Sequence, residues 1–272
     1  MKRRRSAIVL LALALCAFIS PGDSAYRSIP NDSFSFGEEI QYRVHYGFIT
    51  GGEAKLVISN DVFTINDRPC YRVDVFGETT GMVDAMFGVD NNWGSYIDTA
   101  AIIPQRSYRY IKEGKYRKNE IVTFDHKKGS ALVGSLSKDA KRLKKTETFP
   151  VPVNVQDIVS GYYFLRTMDF SRLKEGQGVN IEGFFDEETY KMNLVFMGRE
   201  ELDTKIGTFK AIKLSPRMPE NELFDGEDAI EIWLSDDEHK IPLKIKANMF
   251  VGAIEIDIKQ YREGKGLKRK KR

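Results

Sequence analysis

Apolar and polar residues alternate with a period of two along most of the chain. From Ile40 to Tyr46, every second residue is aliphatic or aromatic and the residues between are polar. The same alternation returns in residues 54–58, 71–75, 190–196 and 254–258. It is typical of strands with one buried and one solvated face, and it favours an antiparallel sheet, because strands buried on both faces carry unbroken apolar runs.

Segments typical of turns separate these stretches: GFITGG (47–52), NDRP (66–69), EGK (113–115) and KKG (127–129). About a dozen strands are expected. Because no linker rich in Gly, Ser or Pro interrupts the pattern, residues 25–263 are interpreted as a single domain.

Two segments depart from the period of two. Residues 154–168 carry apolar side chains at spacings of three and four, which predicts a helix capped by Asn154. Residues 79–89 show the same spacing and predict a short helix or a loop with an apolar face. The sequence therefore predicts a mainly β fold: a large curved antiparallel sheet or incomplete β-barrel with one or two short helices.

A sheet of this size curls, and its concave face must be filled by side chains, by helices or by a ligand. Methionine and aromatic side chains are suited to lining a pocket for an apolar ligand. The candidate lining residues are Met82, Met86, Phe87, Trp93, Tyr162 and Trp233. The alternative is that these residues belong to an ordinary core.

The N-terminus has the features of a secretory signal peptide. Bases at positions 2–5 precede an uncharged run of 13 residues, Ala7–Ile19, which is shorter than the roughly 20 residues of a membrane-spanning helix. Cleavage after Ser24 would leave an exported, periplasmic chain. Cys16 lies inside the apolar run after bulky Leu15, a poor setting for lipoprotein processing.

Without residues 1–24, Cys70 is the sole cysteine, so no internal disulfide is expected and a buried thiol is favoured. Residues 25–263 contain 32 bases and 38 acids, a net charge of −6, which offers no nucleic-acid surface. The last nine residues, 264–272, contain six bases and no acid. Two interpretations of this tail stay open: a disordered solvated end, or a contact with anionic lipid or lipopolysaccharide.

Chemistry-bearing residues form no familiar motif. The three histidines, His45, His126 and His239, lack metal-binding spacing, and no GxSxG elbow is present. The acid-rich segments 182–190 and 221–233 are better explained as solvated loops than as paired carboxylates or calcium ligands. No catalytic residue, metal site or cofactor is assigned.

Residues 232–245, IWLSDDEHKIPLKI, place three carboxylates and a histidine between two apolar runs. The polar content of SDDEHK predicts a hairpin turn, and Pro242 belongs at a strand start or an edge. Trp233 is expected on the opposite face from Ile232 and Leu234.

Five segments occur in an order that resembles the bacterial family called domain of unknown function 3108. They are FSFGEEIQYRVHYGFITGGEAKLVI, DNNWGSYIDTAAIIPQRSYRYIKEGKY, DIVSGYYFLR, IGTFKAIKLSP and IWLSDDEHKIPLKI, and the resemblance covers about residues 34–262. It implies export in Gram-negative bacteria and no assigned chemistry. The chain is also loosely similar in architecture to periplasmic lipoprotein carriers, whose curved half-barrel holds acyl chains; this similarity transfers no residues.

The sequence is consistent with three functions. The favoured one is a non-enzymatic cell-envelope protein that binds a lipophilic or amphiphilic ligand on its curved sheet. The alternatives are a module that binds another envelope protein, and a hydrolase of an envelope polymer that draws on the acidic segments.

Overall fold

The computed structural model describes residues 26–217, 228–250 and 252–266. In these residues, fifteen strands form one antiparallel sheet and two helices accompany it. The elements are β1 (Glu39–Tyr46), β2 (Ile49–Ile58), β3 (Phe63–Ile65), β4 (Arg68–Thr79), α1 (Gly81–Phe87), β5 (Asp90–Asp98), β6 (Pro104–Glu113), β7 (Tyr116–Asp125), β8 (Ser130–Leu136), β9 (Leu143–Pro150), α2 (Ile158–Arg166), β10 (Gly178–Phe185), β11 (Glu188–Thr204), β12 (Gly207–Arg217), β13 (Ile230–Ser235), β14 (Pro242–Asn248) and β15 (Ala253–Arg262).

The strands lie in the order β10-β11-β12-β13-β14-β15-β1-β2-β4-β5-β6-β7-β8-β9, and the short β3 pairs with β4. Nearly every neighbour in the sheet is also a neighbour in sequence, so hairpins build the fold. The stretches with a period of two are confirmed as parts of β1, β2, β4, β11 and β15. The predicted signal peptide, residues 1–24, and most of the basic tail lie outside the described residues.

The sheet curls around α2 without closing. At the start of the helix, Ser95 of β5 donates a hydrogen bond to Asp157 (2.6 Å), and the backbone of Gln156 bonds to Glu182 and Phe184 of β10 (2.8 and 2.7 Å). Eight strands separate β5 from β10 in the sheet, so contact of both with one short segment requires strong curvature. The predicted incomplete barrel is confirmed.

α2 supplies much of the core, because its buried side chains face three different parts of the sheet. Tyr163 packs against β4 and β5, Tyr162 packs near β1, β2 and β14, and Leu165 packs against β11 and β12. None of the helices in the described part of the chain is long and apolar enough to cross a membrane.

The predicted cap of this helix is wrong. The N-cap is Asp157, whose side chain accepts from the backbone N–H of Ser160, while the Ser160 hydroxyl accepts from the Asp157 N–H. This reciprocal arrangement satisfies two backbone donors at once. Asn154 lies one turn earlier in a left-handed conformation (φ 64°), so the helix begins later than the apolar spacing suggests.

The second helical segment is confirmed as α1, a helix of seven residues that buries none of its side chains. The GFITGG segment is only partly a turn. The chain reverses at Gly47 and Phe48, and Ile49–Gly52 already belongs to β2. A two-residue reversal with a left-handed glycine (φ 56°) suffices here.

At the end of the barrel where α2 stops, a buried ion pair ties three segments together. The Arg166 guanidinium binds both Glu38 carboxylate oxygens (2.6 and 2.8 Å), and the two side chains are 0% and 1% exposed. Arg166 also donates to the backbone carbonyls of Ser33 (2.8 Å) and His239 (3.1 Å). We call this end, closed by residues 26–38 and by the turn between β13 and β14, the plugged end.

The SDDEHK segment is confirmed as a turn. The Asp237 carboxylate accepts from the backbone N–H groups of His239 and Lys240 (3.0 Å each) and from the Ser235 hydroxyl (2.8 Å). Asp236 forms a partly exposed pair with Arg199 (3.0 Å). The polar cluster therefore shapes the turn, and the backbone carbonyl of His239 supports Arg166.

Replacing Arg166 with Met should lower the free energy of unfolding by about 3–5 kcal/mol, because Glu38 would be left buried without a counter-charge. Urea denaturation measures this change. The double variant Arg166→Met/Glu38→Leu should recover part of the loss, since it leaves no charge behind.

Lys112→Gln serves as the control, because Lys112 and Asp90 form an exposed pair, and such a pair contributes less than about 1 kcal/mol. If Arg166→Met and Lys112→Gln cost the same, the buried pair does not hold the plugged end together.

Candidate functional site

The opposite end of the barrel, which we call the mouth, contains an open cavity of about 410 Å³. Strands β1, β2, β4 and β15 form its walls and α1 lies at its side. The lining is mainly apolar: Val44, Tyr46, Ile49, Ala54, Val83, Val89 and Ile254, with Gly51, Gly52 and Gly77. This volume lies within the range of about 300–1,000 Å³ that small-molecule sites occupy.

The cavity exists because small residues occupy inward positions of β2 and β4. Ala54 pairs directly with Gly77, whereas the next inward pair toward the plugged end is Leu56 with Val75. A Cβ atom added at Gly77 would meet nothing within 4 Å. The hollow therefore results from the small side chains at these inward positions. The backbones of β2 and β4 stay paired there.

The edge of the mouth exposes large apolar side chains, and we call this set the apolar rim: Phe48, Met82, Met86, Phe87 and Phe250. Phe48 projects fully into solvent at the β1–β2 turn. The other rim residues lie 64–81% exposed on α1 and on the β14–β15 turn. A concentration of exposed apolar side chains around a cavity is typical of a binding surface.

Hydrogen bonds hold the rim elements to the cavity wall. The backbone N–H of Thr80, before α1, donates to Gly51 of β2 (3.0 Å), and Tyr46 of β1 pairs with both Ile49 and Ile254. A left-handed Gly88 (φ 43°) ends α1 and accepts a hydrogen bond from the Gly114 N–H (3.0 Å) in the β6–β7 turn. The rim and the cavity thus form one continuous structure.

Three of the candidate lining residues come together at this mouth. Met82, Met86 and Phe87 lie on the rim at one side of the opening, and among the residues of α1 it is Val83 that lines the cavity itself.

The other three candidates lie elsewhere. Trp93 stacks on Phe185 (ring centroids 5.8 Å apart) inside the barrel, and the Tyr162 hydroxyl is hydrogen-bonded to that of Tyr42 (2.8 Å). Trp233 is buried and donates to Glu200 (2.5 Å). Ile232 and Leu234 pack in a different cluster from Trp233, as their alternation predicts.

Sequence reasoning missed the small residues, which determine the site more than the large ones do. A search for aromatics and methionines cannot find Ala54 or Gly77. The available signal was an inward position of a strand occupied by glycine or alanine in GGEAK and in VFGET.

A charged cluster lies inside the barrel beside Trp93. Arg109 binds both oxygens of Glu120 (2.9 and 3.1 Å) and one of Asp186 (2.6 Å), and Lys118 also contacts Asp186. Lys118 and Arg109 lower the pKa of Asp186. The adjoining cavity is only about 40 Å³. This cluster therefore fastens the β10–β11 turn to β6 and β7.

Asp157 is a buried carboxyl group in the same region. Burial raises its pKa to about 6, while hydrogen bonds from Ser95 and from Ser160 act in the opposite direction. The group thus titrates about two pH units above an exposed aspartate.

Among the described residues, His45, Glu255 and Asp257 offer ligand atoms within 4.8 Å of one another, the spacing of a metal site. The Lys244 ammonium group already binds Glu255 and lies 3.6 Å from Asp257. The hydrogen bond with Asp257 raises the pKa of His45. The cluster is explained as an ion-pair network joining β1, β14 and β15.

Comparison with protein families matches a model described as "Protein of unknown function (DUF3108)" over residues 41–259. The chain belongs to this family. The match confirms the resemblance seen in the sequence, and no functionally curated protein matches the DUF3108 chain.

Two solved structures resemble this DUF3108 chain. A β-barrel-like protein of domain of unknown function DUF1849 from Brucella abortus has a TM-score of 0.53 and 11% identity, over 85% of this chain and 99% of that one. A putative exported protein with a YmcC-like fold from Bacteroides fragilis has a TM-score of 0.32 and 8% identity, over 88% and 100%. The first supports a shared β-barrel-like fold and indicates no function.

Asp157→Asn should remove a pH dependence of stability. The native carboxyl keeps its proton up to a pH of about 6, whereas the unfolded one loses it near 3.8. In the wild type, the contribution of this carboxyl group to the free energy of unfolding is therefore greatest below a pH of about 4, and it falls as the pH rises to about 6. Relative to wild type, the variant should gain up to about 3 kcal/mol over this interval.

Urea denaturation at a series of pH values measures this difference. Ser95→Ala, which removes a hydrogen bond to the carboxylate, should raise the upper limit of the interval and leave the lower limit near 3.8. A difference between wild type and Asp157→Asn that is constant with pH would show that burial does not perturb this group.

Proposed function

We propose that the DUF3108 chain is a non-enzymatic binder of a lipophilic or amphiphilic ligand, and that the apolar part of the ligand occupies the mouth cavity. The observation that carries this proposal is the unfilled inward position at Gly77, within an apolar hollow that opens to solvent. No side chain of the described residues fills this part of the sheet, although the same strands are tightly filled around α2.

The cavity suits a hydrocarbon chain better than a polar ligand. Each methylene group transferred from water to an apolar site contributes about 0.8 kcal/mol, and a ligand that lies against Val44, Ala54 and Ile254 would bury several of them. The opening leaves a polar head group in water at the rim, so an amphiphile fits without the burial of a charge.

A contact with another envelope protein is a second candidate, favoured by one observation. β9 forms an edge of the sheet, and nearly all its side chains are exposed. An edge of this kind can accept an additional strand. Exposed Lys144 and Lys145 on β9 are, however, residues that discourage edge pairing.

A hydrolase receives less support. In the acid-rich segment 182–190, Asp186 is paired with Arg109 and Lys118, and Glu188 accepts from the Tyr190 hydroxyl (2.9 Å). These contacts support structural roles for Asp186 and Glu188. Residues 221–227 of the second acidic segment lie outside the described part of the chain.

We further propose export to the periplasm through residues 1–24, as their charge and apolar length suggest. When the full gene is expressed in a Gram-negative host, the intact mass of the periplasmic protein should correspond to an N-terminus near Ala25. A cytoplasmic chain that keeps residues 1–24, or one carrying a lipid at Cys16, would contradict this proposal.

Filling the cavity tests the binding function. In the series Gly77→Ala, Gly77→Val and Gly77→Leu, binding of an apolar dye such as anilinonaphthalene sulfonate should fall stepwise, with a loss of tenfold or more at leucine. Gly77 has no left-handed conformation to strain and has free space for a side chain, so all three variants should fold.

Thr64→Leu provides the matched control, because it adds a leucine at an exposed position of β3 and should leave binding unchanged. Native mass spectrometry of the gently purified wild type should also show a copurified lipid that Gly77→Leu lacks. Equal dye binding and equal copurified mass in wild type and Gly77→Leu would refute the proposed site.

A further inference from the structure

A basic surface adjoins the apolar rim. It comprises the β6–β7 turn and the β8–β9 connection, residues 112–118 and 138–145, which contain nine bases and two acids. We call its bases the basic flank: Lys112, Lys115, Arg117, Lys118, Lys138, Lys141, Arg142, Lys144 and Lys145. The domain as a whole is acidic, so this concentration of positive charge is local.

The basic flank and the apolar rim are in direct contact through the backbone. Val89, just after α1, pairs with Glu113 in an isolated bridge, and the Gly114 N–H donates to Gly88. The Asn119 side chain donates to the carbonyls of Ser137 and Lys138 (2.8 and 3.1 Å), which brings the β8–β9 connection against β7. The positive charges therefore continue from the edge of α1 across neighbouring strands.

Most of this charge is available to a partner. Lys115, Lys138, Lys141, Arg142 and Lys144 are exposed. Within the basic flank, carboxylates pair with Lys112, Lys118 and Lys145. Leu143 and Tyr116 are exposed among the bases, at 62% and 54%.

We propose that the mouth docks on the surface of an anionic lipid bilayer. The apolar rim, Phe48, Met82, Met86, Phe87 and Phe250, would enter the interfacial layer, and the exposed bases of the basic flank would lie against the lipid phosphates. Exposed apolar side chains beside a cluster of bases fit this surface, because the bilayer interface offers both an apolar layer and negative charge. Docking here would place the mouth cavity over the lipid.

The C-terminal tail is the competing basic element, and it leaves from the other end of the barrel. β15 ends at Arg262, which pairs with Glu39 at the start of β1, and a Cβ at Gly264 would lie 2.5 Å from Ser35. The described residues thus place the beginning of the tail at the plugged end. A contact through the tail would orient the mouth away from the membrane.

A fluorescent label at the mouth distinguishes these two orientations. In the chain that begins at Ala25, where Cys70 is the sole cysteine, an environment-sensitive dye is attached at Met86→Cys, or at Thr64→Cys on β3 as the matched position away from the mouth. Cys70 is buried, and burial raises its thiol pKa to about 12, so it stays unlabelled.

Vesicles of mixed phosphatidylcholine and phosphatidylglycerol should shift the emission of the label at position 86 and leave that at position 64 unchanged. Vesicles of phosphatidylcholine alone should give a much weaker response, and added salt should weaken the response to the mixed vesicles.

Charge variants then identify the contact. Lys141→Gln/Arg142→Gln/Lys144→Gln should weaken binding to the mixed vesicles by roughly a hundredfold. The control Arg172→Gln/Lys174→Gln/Lys205→Gln removes three exposed bases elsewhere and should leave the affinity near that of wild type.

Three results would overturn the proposal: a response of the label at position 64 in place of position 86, equal affinity for both kinds of vesicle, or loss of binding when the bases of residues 268–272 are replaced by Gln. Gly77→Leu fills the cavity and leaves the rim intact, so it should dock normally. A failure of membrane docking can therefore be distinguished from a failure of ligand binding.

Discussion

The concave face of the curled sheet has to be filled, and this requirement organises the molecule. One short helix, α2, meets it at the plugged end, where Tyr162, Tyr163 and Leu165 reach three different groups of strands. Because the helix begins against β5 and ends at the buried Arg166–Glu38 pair, it fills only part of the barrel. Strands β2 and β4 continue past the helix, and there their inward residues become small, as at Ala54 and Gly77.

The two ends consequently have opposite physical character. Around Arg166, polar groups are buried and joined by charge-assisted hydrogen bonds, which fix the turn between β13 and β14 and the segment before β1. At the mouth, Phe48 and the side chains of α1 are exposed beside an apolar cavity. Paired, buried polar groups close the plugged end, and the open end has the features of a binding surface.

The periodicity of the sequence predicted the curved sheet, the helical segments and the turn at SDDEHK, because each depends on local alternation or local turn chemistry. Two features depended on contacts between distant residues and could not be predicted in this way. The N-cap at Asp157 is supported by Ser95, which is 62 residues away in sequence. Arg166 and Glu38 are 128 residues apart, and nothing near either residue indicates the other.

The candidate site was predicted only in part, because only part of it depends on residues that are close in sequence. Met82, Met86 and Phe87 share a local spacing that indicated an apolar surface, and they do meet at the mouth. Trp93 and Trp233 were grouped with them by residue type alone, and each lies in a separate environment. The hollow itself depends on Ala54 and Gly77 facing each other across two strands, a pairing that only the register of the sheet reveals.

We propose that the hollow at Gly77 holds the apolar part of a ligand. Crystals grown with a fatty acid brominated at its terminal carbon would locate that part, because anomalous scattering reveals the bromine without reference to the protein. We expect a bromine peak between β2, β4 and α1, in contact with Ala54 and Val83. A peak confined to another surface, or an empty cavity at saturating fatty acid, would refute the site.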